Sequence, residues 1–181
     1  LEAFDDATKD IIRKAARFSD RVISPQAAFF GGIAAQEVVK ITGKYTPVTQ
    51  FFHFEQFITL PTEQVDRHLH GTRYDDQVAI YGNEIQQKLG DLNIFMVGAG
   101  ALGCEFVKAY AMMGIGCGPK GLITCTDNDN IEVSNLNRQF LFRQNNVGTP
   151  KSRTALQIGQ LMNKDLRARD LQEYVSPDTE N

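Results

Sequence analysis

Gly98, Gly100 and Gly103 form a Gly-x-Gly-x-x-Gly run, a spacing that lets backbone turn tightly against a phosphate while the third glycine packs a helix on a strand. The apolar strand candidate Ile94-Phe95-Met96-Val97 precedes the run, and a helix candidate from Ala101 to Met113 follows it. That context points to a nucleotide and leaves NAD, FAD and ATP open. A second strand candidate, Leu122 to Thr126, ends at Asp127-Asn128-Asp129. An acid at the C-terminal edge of such a strand accepts hydrogen bonds from ribose hydroxyls, which is the role expected of Asp127. Asp129 is either a helper or an ordinary loop cap.

Of the cations that follow, Arg138 in a polar loop and Lys151 at a helix start could supply positive charge. An NAD site needs little positive charge beyond its helix N-terminus, whereas cleaving a triphosphate calls for cations aimed at the charge developing on the phosphates. Each cation taken singly reads as solvated surface. Downstream of the glycine turn and Asp127, the two read together as phosphate ligands. Thr149 and Pro150 read as the N-cap and first position of a helix running to Met162, which puts Lys151 in its first turn among unpaired N–H groups. The segment Gly148-Thr149-Pro150-Lys151-Ser152 is similar to the end of a P-loop, but Pro150 stands before the lysine and no strand directly precedes it, so it is not a Walker A motif.

The elements that must position these residues are legible as patterns. Phe4, Ala7, Ile11, Ile12, Ala15 and Phe18 fall at helical spacing, an amphipathic helix. Ser24 as N-cap with Pro25 opens a second helix through Gln26 to Thr42 that stops at Gly43, and its alanines and glycines predict tight helix packing in a core. Val48 to Leu60 is aromatic and β-branched and predicts a strand or two, ended by Pro61. Residues 61–73 are polar and aperiodic and read as a linker. His68 and His70 sit there without a Cys or carboxylate set that would make them a metal site. A helix from Asn83 to Leu89 then leads into the strand before the glycines. Strand, helix, strand, loop, helix opens an α/β fold with a Rossmann-like, doubly wound sheet.

Composition narrows the class. With 42% hydrophobic and 23% charged residues the chain is an ordinary globular one, and 19 Lys and Arg against 22 Asp and Glu give a net charge of −3, no broad footprint for nucleic acid or an anionic membrane. No apolar run approaches the roughly 18 residues that span a bilayer, and the N-terminus lacks a basic signal-peptide start. Cys104, Cys117 and Cys125 contain no Cys-x-x-Cys pair, which disfavours a disulfide framework or a closed zinc site. Cytoplasm and nucleus are the expected compartments. At roughly 150 residues per domain, 181 residues suffice for one domain but not two. The charged helical start without a Met suggests a piece of something longer.

The stretches Arg73-Tyr74-Asp75-Asp76-Gln77, Val97 to Glu105, Thr126-Asp127-Asn128-Asp129-x-Ile131-Glu132-x-Ser134-Asn135-Leu136-Asn137-Arg138-Gln139-Phe140-Leu141-Phe142-Arg143 and Lys151-Ser152 closely resemble the start of the active adenylation domain of ubiquitin-activating enzymes. Residues 24–60, with Ser24 to Lys40 and Gly43 to Pro47, resemble the closing part of the inactive adenylation domain of the same enzymes. The resemblance implies three segments: 1–60, the end of the inactive domain; 61–73, a linker; and 74–181, the start of the active, ATP-binding domain. Both halves on one chain imply the single-chain type. The implied activity is ATP-dependent adenylation of the C-terminus of ubiquitin or a ubiquitin-like protein, then thioester formation and transfer to a conjugating enzyme. The implied cofactors are ATP and Mg2+. Position by position, Gly98, Gly100 and Ala101 line the nucleotide, Asp127 holds the ribose, and Asn135, Arg138 and Lys151 meet the phosphates.

The resemblance also implies what to expect elsewhere. The thioester cysteine and the Mg-binding aspartate are expected beyond residue 181, and none of the three cysteines matches the former. Cys104 reads as a small buried hydrophobe. Homodimeric relatives carry a second arginine where Asp76 stands, so this copy is expected to face the dead site. The 181 residues alone are expected to show no ATP–pyrophosphate exchange, to leave sheet edges and apolar faces uncovered, and to be marginal or to associate. Two other readings stand beside this one: a nicotinamide-dependent oxidoreductase domain, and a non-catalytic module that binds a ubiquitin-like protein.

Overall fold

A computed structural model describes residues 3–54 and 56–179. The chain divides into two compact units, residues 1–85 and 86–181.

In the first unit, α1 (Asp6–Phe18) is capped by Asp5, whose carboxylate accepts the Thr8 N–H at 2.7 Å. The second helix, α2 (Ser24–Lys40), begins one residue before the serine-cap reading, because the Ile23 carbonyl already accepts the Ala27 N–H; Ser24 is therefore inside the helix and makes no cap. The tight packing expected on the small-residue face of α2 is not made among the described residues. A side chain at Gly31 or Gly32 would meet nothing.

The expected strand at Val48–Leu60 is corrected to irregular backbone with one helical turn at Phe57–Thr59; Glu55, within that span, lies outside the described residues. No strand offers it a ladder among the described residues. Two of its aromatic rings pack on α2 instead, with Phe54 stacked on Phe29 at 4.2 Å and Phe52 edge-on to Phe30 at 6.4 Å. The aromatic composition thus reports side-chain packing rather than a backbone preference.

Residues 61–74 are irregular but pinned. His70 Nε2 lies 3.0 Å from Asn83 Oδ1, and the Asn83 amide donates to Asp66 Oδ2 at 3.0 Å. Asp75 opens α3 (Asp75–Tyr81), and its carboxylate accepts the N–H groups of Gly71 and Thr72 at 2.9 and 3.0 Å. Those bonds, led by the Thr72 N–H, hold it below the usual carboxylate range. Asp76 is not idle either: its two oxygens take Arg21 Nη1 at 3.2 Å and the Val22 N–H at 3.1 Å.

The helix α4 (Asn83–Gly90) leads into the second unit, a three-stranded parallel sheet in the order β1 (Asn93–Val97), β2 (Leu122–Thr126), β3 (Ala168–Leu171). The third strand does not show in the sequence pattern, since two of its four residues are charged. It forms because β2 offers a free edge and Ser152 Oγ donates to the Leu171 carbonyl at 2.8 Å. Helices α5 (Ala101–Met113) and α6 (Lys151–Met162) join one sheet face in a core that includes Met96, Cys104, Val107, Ile123, Cys125 and Leu156. Alternation along β1 leaves the other face open, with Phe95 57% and Val97 64% exposed. The start of α6 is also corrected: Pro150 occupies the cap position, and the Thr149 hydroxyl bonds the Asn146 carbonyl and the Thr154 hydroxyl instead of capping.

Between β2 and α6 runs a long loop, anchored in this core by Ile131, Leu141 and Phe142, the last only 2% exposed. Phe142→Ala is therefore expected to cost the second unit about 3–5 kcal/mol, removing the ring and leaving a cavity under the loop. Urea denaturation followed by circular dichroism checks it; a cost below about 1 kcal/mol would mean that the loop is not held this way.

Candidate nucleotide site

Parallel pairing sets Val97 beside Thr126, so the glycine turn after β1 and the acidic loop after β2 leave the sheet side by side at its C-terminal edge, where open α/β sheets bind ligands. The Gly98 N–H donates to the Thr126 carbonyl at 2.8 Å. Gly98 has φ +94°, a conformation that L side chains rarely adopt. Gly103 is needed for a different reason: a Cβ there would fall inside the shell of the Gly98 carbonyl oxygen. Gly100 caps α5 in extended conformation, and its carbonyl accepts the Cys104 N–H at 2.9 Å. Open space lies where Cβ atoms would stand at Gly98 and Gly100, on the approach a phosphate needs.

Asp127 is tied directly to this turn. Its Oδ2 accepts the Ala99 N–H at 2.7 Å, and its Oδ1 accepts the Asp129 N–H at 2.9 Å. Asp129 in turn holds the start of α6 twice, its carbonyl accepting the Lys151 N–H at 3.1 Å and its carboxylate pairing with Lys151 Nζ at 2.7 Å. A backbone bridge between Asn130 and Pro150 closes the loop beside them. Asp129, read from sequence as a helper or a cap, acts here as the counter-ion of Lys151. That role was invisible in sequence because 22 residues separate the pair.

The electrostatics of Lys151 are unusual for a helix start. The residue is 7% exposed, and the positive end of α6 adds to its own charge, an arrangement unfavourable without a nearby anion. Asp129 supplies that anion. A phosphate oxygen has the same acceptor chemistry, and Lys151 is linked to the glycine turn through Asp129 and Asp127.

Asn135 and Arg138 are placed by the loop itself. Asn135 is buried, and its Oδ1 accepts the Glu132 N–H at 2.9 Å in a reciprocal capping pair. The exposed Arg138 donates from Nη1 to the Ser134 carbonyl at 3.0 Å and to Asn137 Oδ1 at 3.2 Å. Ala99, Asp127, Asp129 and Lys151 thus form one hydrogen-bonded chain, while the side-chain hydrogen bonds of Asn135 and Arg138 stay within residues 132–138. Gln139, which the sequence reading did not single out, is buried with an Oε1 lacking a hydrogen-bond partner. Its only sequence signal is an amide at the head of the apolar run Phe140-Leu141-Phe142.

A model of the ThiF family matches residues 74–181. Among curated relatives, the Arabidopsis thaliana protein named ubiquitin-activating enzyme E1 2 is 46% identical over 181 residues, 98% of this chain. The Homo sapiens ubiquitin-like modifier-activating enzyme 1 is 47% identical over 178 residues, 95% of this chain. The chain spans 17% of the length of each. Among solved structures, the E. coli tRNA threonylcarbamoyladenosine dehydratase TcdA in complex with ATP matches with a TM-score of 0.53 and 31% identity, over 59% of this chain and 42% of that one. E. coli MccB with ATP matches with a TM-score of 0.52 and 26% identity, over 61% of this chain and 33% of that one.

The thiols beside the site are not nucleophiles. Cys104 and Cys125 are fully buried, and burial raises them to about 11 and about 12 respectively. A thiol raised in this way stays protonated and unreactive until the pH nears that value. At pH 8, iodoacetamide is expected to leave both unmodified in the native chain and to label them fully in denaturant. Mass spectrometry reads the result, and rapid native labelling of either would contradict its placement in the core.

Proposed function

The chain belongs to the ThiF family, and on that premise we propose that it is the part of a single-chain ubiquitin-activating enzyme that carries the phosphate-facing side of the ATP site. On this reading residues 1–60 close the inactive adenylation domain, 61–73 link the halves, and 74–181 open the active domain. The observation that carries the proposal is the bonded chain from the glycine turn through Asp127 and Asp129 to Lys151, set at the C-terminal edge of a parallel sheet. Support also comes from ATP in the related TcdA and MccB structures and from the names of the relatives.

The reaction joins the C-terminal carboxylate of ubiquitin, or of a ubiquitin-like protein, to the α-phosphate of ATP. The carboxylate oxygen forms the new bond to phosphorus while the bond to the bridging oxygen breaks, and pyrophosphate leaves with the released charge. Gly98, Gly100 and Ala101 line the nucleotide, Asp127 orients the ribose, and Asn135 fixes the loop that presents Arg138. Lys151 exchanges the Asp129 carboxylate for a phosphate oxygen, so a cation already positioned and stripped of most of its water meets the charge as it develops. Among the described residues no group of three or more His, Cys, Asp or Glu could hold a metal ion. Mg2+ carried on the triphosphate would add positive charge at the leaving group, and its principal protein acid is expected outside these residues. A cysteine elsewhere in the enzyme then takes the acyl group as a thioester for delivery to a conjugating enzyme.

Ubiquitin-dependent ATP–pyrophosphate exchange by the full-length enzyme tests this. Arg138→Ala and Lys151→Ala are each expected to lower the rate a few hundredfold, the loss of on the order of 3 kcal/mol of transition-state stabilisation. Exchange within about threefold of the parent rate for both variants would remove these residues from the phosphate site.

A further inference from the structure

The first unit holds a concentration of positive charge that the nucleotide site does not use. Along α1, residues 10, 13, 14 and 17 lie at i, i+3, i+4 and i+7, a single stripe of the helix. Together with the segment from Phe57 to Arg67, this stripe lines a groove of ≈ 970 Å3. Lys14 is neutralised by Asp10 at 2.7 Å. Arg13, Arg17 and Arg67 have no carboxylate within ion-pair distance among the described residues. Arg17 only rests over the Phe18 ring, 5.7 Å from its centroid, a contact that leaves its charge intact.

Arg67 is the most informative of the three. Its Nε is buried and has no hydrogen-bond partner, and burial with the like charge of Arg17 pulls the guanidinium below its ordinary value. A buried donor without an acceptor is unfavourable, and so is a pair of like charges facing one groove. Glu63 is the groove's remaining acid, so the three arginines outweigh it. The walls between the charges are apolar: Ile58 is 92% exposed, beside Phe57, Leu60 and Pro61.

We propose that this groove docks an acidic peptide segment whose carboxylates pair with Arg13, Arg17 and Arg67 and whose apolar side chains cover Phe57 and Ile58. Guanidinium forks match carboxylates two bonds at a time, and a carboxylate reaching Arg67 Nε supplies the acceptor it lacks. A free phosphate would satisfy the arginines and leave Ile58 in water. A polynucleotide backbone would likewise pair with the arginines while leaving Phe57 and Ile58 uncovered. Charge and apolar surface in one groove therefore select an acidic, partly apolar peptide. This inference goes beyond the adenylation reading, which gives none of these residues a part in binding the nucleotide.

The test is a fluorescence-anisotropy titration of the full-length protein with a short labelled peptide of alternating glutamate and leucine. Saturable binding is expected, weakened by raising salt from ~0.05 to ~0.3 M. The double variant Arg17→Gln/Arg67→Gln is expected to bind about tenfold more weakly, and Arg17→Lys/Arg67→Lys to recover part of that loss. Ile58→Ser, at a side chain the fold barely buries, should weaken binding about threefold, while Arg153→Gln on α6 should change nothing. Circular dichroism confirms that α1 is intact in each. The proposal is overturned by unchanged affinity in either the arginine or the Ile58 variant, by equal binding of a lysine–leucine peptide, or by full displacement with millimolar inorganic phosphate.

Discussion

The Asp127 carboxylate on the Ala99 amide, at 2.7 Å, is the contact on which the geometry of the second unit's sheet edge depends. Parallel register alone brings the ends of β1 and β2 together. The hydrogen bond goes further and fixes the turn in one orientation, with its glycine side open. Because the same carboxylate also takes the Asp129 amide, the acidic loop and the glycine turn behave as one body. Asp129 extends that body to α6 through both its carbonyl and its side chain. A site that must meet developing charge benefits from groups already in place, since reorganising them during reaction would add to the barrier.

The pairing of Lys151 with Asp129 shows how the chain manages charge before any anion arrives. A nearly buried ammonium at the positive end of a helix is unfavourable on its own, and an ion pair of this kind is better evidence of placement than of stability. Asp129 is far more exposed than its partner, 58% against 9% for the side chains, so the carboxylate has room to move while the ammonium does not. On the proposed reading, that asymmetry lets an incoming phosphate take the cation without rebuilding the helix start.

Much of this was readable from the residues, for identifiable reasons. From Ile94 to Met162 the strands and α-helices fall within two residues of the sequence pattern, because glycines punctuate an apolar strand and helix with little ambiguity. Cys104 lies in the core, as its position after the turn implied. The failures have causes as definite. Ala168-Arg169-Asp170-Leu171 carries no apolar alternation and becomes a strand only because β2 has an edge to offer. The aromatic residues between Val48 and Leu60 suggested a sheet and instead serve α2. The Lys151–Asp129 pair depends on a loop closure at Asn130 and Pro150 that no local pattern encodes. Local signals thus recovered elements and the glycine turn, whereas long-range pairings decided which side chains meet.

The most direct measurement of the central claim is amide hydrogen exchange in the full-length protein with and without ATP. New protection is expected at residues 98–103 and at the first turn of α6, around Lys151, and no such protection when NAD replaces ATP. Unchanged exchange at both segments on saturation with ATP, or equal protection by NAD, would contradict it.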